Sequence, residues 1–301
     1  MAVGLEAPGD GAGEPARDDR SLRAWFARLR IAAWLGWSIE SNWTEPFVFI
    51  VYSVLRPLAA ALTLAWMYRA VSGVALRPQA FASLFLGSAF HEYVTRMAVG
   101  MGWLVVEERE EFETMKYLYT APVGIFTYLL GRTATKFVIA SVGCALTLTI
   151  GWTLLGIRWD WMHLDAPLLF VAFAAGITAA LAIGVLLAGW ALVLPRIAMT
   201  MIEGVALALQ LLCGVIFPID LLPRGLQELS LALPLTWWYE AMRRLLLGHG
   251  SSARLAHFGD GTVVVILVVL AAAWAVIGRL GYDALERRAR HLGRLDQTTL
   301  F

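Results

Sequence analysis

The sequence predicts an all-α integral membrane protein: six transmembrane helices, an interfacial helix before them, a charged segment between the second and third, and a re-entrant segment between the fifth and sixth. Three observations carry that class. Of 301 residues, 59% are apolar and 16% charged, well outside the balance of a soluble domain. The apolar residues gather in runs near the roughly 20 residues that a helix needs to cross hydrocarbon. Between the second and third runs stands the segment 107–123, EEREEFETMKYLYTAPV, whose carboxylates would each cost a few kcal/mol in lipid and therefore reach water.

Taken in order, residues 1–20 are rich in Gly, Ala, Asp and Pro with no apolar period, and read as a disordered tail without the features of a signal peptide. Over residues 21–45, Arg23, Arg28 and Arg30 alternate with Trp25, Phe26, Leu29, Trp34 and Trp37, the pattern of an amphipathic helix lying in the membrane interface. A membrane domain over 46–281 follows, with spans expected at about 47–69, 80–106, 131–157, 167–194, 198–217 and 261–281, and residues 282–301 form a basic tail. Flanking Arg and Lys favour cytoplasmic termini by about two to one, which also places the 107–123 segment in the cytoplasm. Arginine is abundant, only Lys116 and Lys136 are lysine, and Ala, Leu and Gly are frequent; this composition suggests a bacterial inner-membrane protein. Most tryptophans, Trp237 and Trp238 included, fall near predicted interfaces, where aromatic belts are expected.

The missing motifs narrow the function. Neither lysine lies in a phosphate-binding Gly-Lys-Ser/Thr turn, and there is no His-Glu-x-x-His or Gly-x-Ser-x-Gly. Cys144 and Cys213 sit in apolar surroundings and suggest neither a disulfide framework nor a metal site. The chain is expected to perform no bond chemistry, to hold no cofactor or metal, and to have no nucleic-acid partner.

Two stretches carry a resemblance. The first runs from Glu108-Arg109-Glu110-Glu111 through Tyr117-Leu118 to Thr120-Ala121-Pro122-Val123; the second is Gly214-Val215-Ile216-Phe217-Pro218-Ile219, then Leu222-Pro223 and Leu233-Pro234-Leu235-Thr236, with Arg243-Arg244 and Leu247-Gly248 beyond. With six spans, the chain resembles permeases of the ABC-2 family, the membrane half of ATP-driven exporters of drugs, lipids and polysaccharides. The resemblance implies a separate ATP-binding subunit carrying ATP and Mg, a second permease copy or paralogue, contact with membrane lipid, and export of an amphipathic drug, lipid or glycolipid. It departs from the family at Glu113-Thr114-Met115-Lys116, where Gly-Thr-Leu-Glu is frequent.

In a helix from about Glu107, Phe112, Met115 and Tyr119 share one face, an apolar ridge flanked by acids. With Glu108, Arg109, Glu111 and Pro122 they are the expected contact with the ATPase subunit; the alternative is that this face packs on the protein's own spans. Pro122 ends the helix and Gly124 frees the turn back to the membrane. Past the fifth span, Phe217, Pro218, Pro223, Pro234 and Trp237 belong to a segment too broken to cross, either an outer gate or a fixed lid. Within the spans, Arg56, His91, Glu92 and Arg96 form a candidate charge cluster, acting as a structural ion pair, a headgroup contact or a proton relay. Glu203 is a lone acid near the cytoplasmic end of span five. Two rival functions rest on these residues: a proton-coupled secondary transporter using His91, Glu92 and Glu203, and an intramembrane lipid-modifying enzyme with His91 and Glu92 as acid and base.

Overall fold

The computed structural model describes residues 22–42, 78–121, 124–153, 155–160 and 164–293, with a few isolated positions between 59 and 70. The expected first span, with Arg56, lies almost wholly outside the described residues, as do Pro122 and the 1–20 tail. Among the described residues every regular element is helical.

The 21–45 segment forms α1 (Leu22–Asn42). Its buried side meets α5 (Ile125–Thr153) at Ala32 and Gly36, where Thr135 donates to the Ala33 carbonyl at 3.0 Å and Lys136 pairs with Glu40 at 3.1 Å. Gly131 makes this crossing fit, since a Cβ there would lie 2.4 Å from that of Ala32. The opposite side exposes Phe26, Ile31, Trp34 and Trp37.

The expected second span is one helical rod: α2 (Pro78–Tyr93), a π turn over Val94–Val99, α3 (Gly100–Val106) and a second π turn over Glu107–Glu111. Such π turns rotate the residues beyond them out of α register. A short α4 (Met115–Thr120) then precedes α5.

Among the described residues, four segments are long and apolar enough to cross a membrane: Ile125–Thr153, Ala166–Val193 (α6), Pro195–Leu212, whose α-helical part is Ala198–Leu212 (α7), and Asp260–His291 (α10). The third expected span starts at Ile125, six residues before 131, and the last does not stop at 281. Much of the expected basic tail is therefore helix, laced by the i, i+4 pairs Arg279–Asp283 and Arg290–Glu286. α6 is apolar all round, and its buried Ala172, Ala179, Ala180 and Ala188 let neighbouring helices approach closely; it packs along α10. Asp165 caps it, accepting from the Leu168 amide at 3.0 Å.

The end of the bundle carrying 107–121 is called proximal here and the other distal. At the distal end a 3-10 turn over Ile219–Leu221 leads into α8 (Arg224–Ala232) and α9 (Pro234–Leu247). The expectation that Trp237 and Trp238 sit in an interfacial belt is corrected. Trp238 is fully buried, its indole filling the space where Gly176 lacks a side chain, and Trp237 donates inward to the Leu231 carbonyl at 2.9 Å. The segment does turn inward, because Trp274, about 21 Å along α10 from Asp260, donates to the Ala232 carbonyl at 3.2 Å.

Candidate functional site

The proximal segment is built around a buried carboxylate. Glu108 takes hydrogen bonds from Arg132 Nη1 at 2.6 Å, from the Tyr128 hydroxyl at 2.5 Å and from the Thr114 hydroxyl. Arg132 also reaches Glu107 at 3.9 Å. Arg109 is equally buried; its Nη1 donates to the Ala191 carbonyl at 2.8 Å and its Nε to Glu110 at 3.0 Å. Burial lowers the pKa of Arg109, with Glu110 pulling it back, and raises that of Glu107 against the pull of Lys136 and Arg132.

The helix is not continuous from Glu107, which changes what faces outward. It stops at Glu111 and restarts at Met115, with Glu113 at φ 50° between them. Met115 is 2% exposed, in a core cluster with Leu129, Leu192 and Tyr282. Tyr119 is half-buried beneath Arg290, 5.0 Å from its ring centre, and Phe112 is half-buried. The expected ridge of Phe112, Met115 and Tyr119 is thus no outer face, and Glu108 and Arg109 turn inward too. The exposed residues are Glu111, Glu113, Lys116, Tyr117 and Thr120, with Tyr117 65% exposed and Lys116 over its ring.

Glu113 stands at a position whose backbone favours glycine. A left-handed backbone costs a residue with a side chain about 1–2 kcal/mol and costs glycine nothing comparable, so this position suits the glycine that the resemblance implies. Glu113→Gly is expected to stabilise the protein by about 1 kcal/mol, seen as a higher melting temperature; an unchanged or lower one would count against strain here.

Among the transmembrane charges, Glu92 pairs with Arg96 at 2.7 Å, while His91 Nδ1 lies 2.9 Å from the Tyr239 hydroxyl. His91 and Glu92 therefore turn to different partners. Glu203 is exposed on α7. No cluster of three or more His, Cys, Asp or Glu suited to a metal occurs among the described residues.

At the distal end, Arg243 is the organising residue and the sequence reading gave it no role. It donates from Nε to the Ser83 carbonyl at 2.9 Å, from Nη2 to the Gly214 and Val215 carbonyls at 2.7 and 3.0 Å, and from Nη1 to Ser251 at 3.0 Å. Arg244 ties Glu240 to the carbonyls of Leu255 and Phe258. Of the candidate gate residues, Pro234 and Trp237 are buried, Pro223 is exposed, and Phe217 and Pro218 line a cavity of about 230 Å³ beside Arg243.

These features define a polytopic α-helical membrane protein with a structured segment projecting at one end and an inward-folded, polar-clamped segment at the other. Residues 31–247 match the family described as ABC-2 type transporter, and the chain belongs to that family as a transmembrane permease component. The match covers both segments and every described span between them. No curated protein matches the chain.

Proposed function

We propose that the chain is the permease subunit of an ATP-driven exporter in the bacterial inner membrane, with both termini cytoplasmic, and that it moves an amphipathic substrate outward. Its family membership carries this reading. ATP and Mg act on a separate subunit, which docks on the exposed side of the proximal segment: Glu111, Glu113, Lys116, Tyr117 and Thr120, with Phe112 at its edge. Tyr117 is the anchor, since an exposed aromatic on a short projecting helix has the character of an interface hot spot. The buried residues beneath it, Glu108, Arg109 and Met115, pass the ATPase's motion into α5 and α6 as a rigid shift.

A second permease fits on α7, of whose residues only Ala198, Ile202 and Leu209 are buried. Its exposed stripe, Thr200, Glu203, Gly204, Leu207, Ala208 and Leu211, places small Gly204 and Ala208 one turn apart, as close helix pairs require. It also presents a carboxylate that is costly to leave against lipid.

The test is purification from the native host in mild detergent. A P-loop ATPase should copurify in a complex of two permeases and two ATPases, and should be lost from Tyr117→Asp and Phe112→Asp while the melting temperature is kept. Met115→Asp is unsuitable, because it would break the core. Recovery of the wild-type chain alone, or an ATPase retained by both variants, would overturn the docking assignment; a complex with one permease would overturn the pairing.

A further inference from the structure

Seven ionisable residues follow one another along the seam between α1, α2–α3 and α5. Glu92 lies against Gly143 of α5, where a Cβ would sit 3.5 Å from its Cγ, and pairs with Arg96 at 2.7 Å. One turn on, Lys136 lays its chain across Gly100, where a Cβ would sit 3.1 Å from its Cδ, and reaches Glu40 of α1 at 3.1 Å. Next comes Glu107, whose carboxyl feels Lys136, Arg132 and Glu40, and then Arg132 with Glu108 at 2.6 Å. From Glu92 to Glu107 this is about 22 Å of helix, most of the roughly 30 Å hydrocarbon thickness.

Two properties set this seam apart from a set of buried ion pairs. Five of its members are partly open: the side chains of Glu92, Arg96, Lys136, Glu40 and Glu107 keep 21, 19, 12, 27 and 31% exposure, whereas Arg132 and Glu108 keep 1 and 3%. The backbone beside it is also irregular, with the π turn Val94–Val99 between Glu92 and Gly100, a distortion often found at functional positions. Ionisable side chains at membrane depth are costly and mark hydrated or substrate pathways. Both signs are present at each open step, so a ligand with a single charge would meet repulsion wherever it met attraction. A ligand carrying a cation and an anion a few ångströms apart can replace either pair without leaving a charge bare.

We propose that this seam is a headgroup track that binds the zwitterionic headgroup of a phospholipid-like cargo at Glu92, Arg96, Lys136 and Glu40 while its acyl chains stay in the bilayer. The proposal rests on the export reading above and assigns the cargo class and its route along one permease. The headgroup phosphate pairs with Arg96 or Lys136 and its ammonium with Glu92 or Glu40. The fixed, buried pair Arg132–Glu108 anchors the proximal end beside the open Glu107 and ties the track to the docking segment.

The test is lipid retention by the purified full chain, read by native mass spectrometry against phosphatidylethanolamine, phosphatidylglycerol and diacylglycerol. Phosphatidylethanolamine should be retained at least five-fold over either of the others. Exchanging the pair, Glu92→Arg with Arg96→Glu, should keep the melting temperature but remove the preference, because the i, i+4 pair survives while its order along the track is reversed. Lys136→Gln serves as a second variant if the exchange does not fold. In parallel, Thr95→Cys, half-exposed beside Arg96, should react with a water-soluble maleimide. Equal retention of the three lipids, a preference for phosphatidylglycerol, a preference that survives the exchange, or an unreactive Thr95→Cys would each overturn the track. All are read without ATPase or transport, so the permease reading stands or falls separately.

Discussion

Glu108→Ala is expected to cost the protein about 3–5 kcal/mol, the usual penalty for breaking a buried ion pair from one side. Arg132 is 1% exposed at its side chain and has its close carboxylate in Glu108; Glu107 stands off at 3.9 Å. Without Glu108 the guanidinium stays charged inside the proximal core, and the hydroxyls of Tyr128 and Thr114 lose an acceptor. Glu108→Gln should fall between, because an amide oxygen still accepts while the charge is gone. Glu108→Leu with Arg132→Met should recover most of the loss, since replacing both partners leaves no bare charge. Glu111→Ala, three residues on and exposed, should stay within about 0.5 kcal/mol. Thermal unfolding in detergent, followed by exposure of the buried thiols of Cys144 and Cys213, reads all four. A Glu108→Ala melting point close to that of Glu111→Ala would show that the carboxylate is not the centre of this segment.

That pair of glutamates also shows where sequence reading reached and where it stopped. Among the described residues, the apolar runs located the four segments long and apolar enough to cross a membrane to within several residues, apart from the start of the first of them and the end of the last, because length and hydropathy dominate helix formation in a membrane. They also required the 107–123 segment to reach water. They did not show which glutamate turns in, because that depends on helical phase, and the phase taken from Glu107 is broken twice: by the π turn Glu107–Glu111 and by the left-handed Glu113. The Gly-Thr-Leu-Glu that the resemblance implies at 113–116 was the available hint. Trp237 and Trp238 misled for another reason, since an aromatic run suits an interface as well as a close-packed core. Gly176, sixty-two residues earlier, makes room for Trp238. The Glu92–Arg96 pair was legible because i, i+4 spacing fixes it locally. The way the charges of α1, α2–α3 and α5 line up along one seam depends on tertiary packing and was not.

Arg243→Lys is expected to loosen the distal segment even though the charge is kept. The guanidinium is planar, and its three nitrogens serve four partners on three parts of the chain: the Ser83 carbonyl in α2, the Gly214 and Val215 carbonyls past α7, and Ser251 past α9. A lysine ammonium is one point with three donors and cannot span them. At least one buried carbonyl would be orphaned, at about 1–3 kcal/mol. Burial pulls the pKa of Arg243 down to about 10, against the pull of Glu240, so it is still charged at neutral pH and the loss would come from geometry. Gly87→Ala should act in the same direction, because a Cβ there would stand 2.4 Å from Nη2 of Arg243 and 2.5 Å from the Val215 carbonyl. The readout is local. Cys213 precedes Gly214, which sits at φ 70°, and is 1% exposed, while Cys144 lies in α5 at 3%. In both variants maleimide labelling of Cys213 should rise several-fold below the melting temperature, with Cys144 unchanged. Labelling that rises equally at both cysteines would mean general unfolding and would remove Arg243 as the clamp. Selective labelling would mean that the Gly214–Pro218 turn and α9 are held to α2 by this one side chain, so that any outer gate built on Phe217 and Pro218 moves with the α2–α3 rod, whose other end runs into the proximal segment.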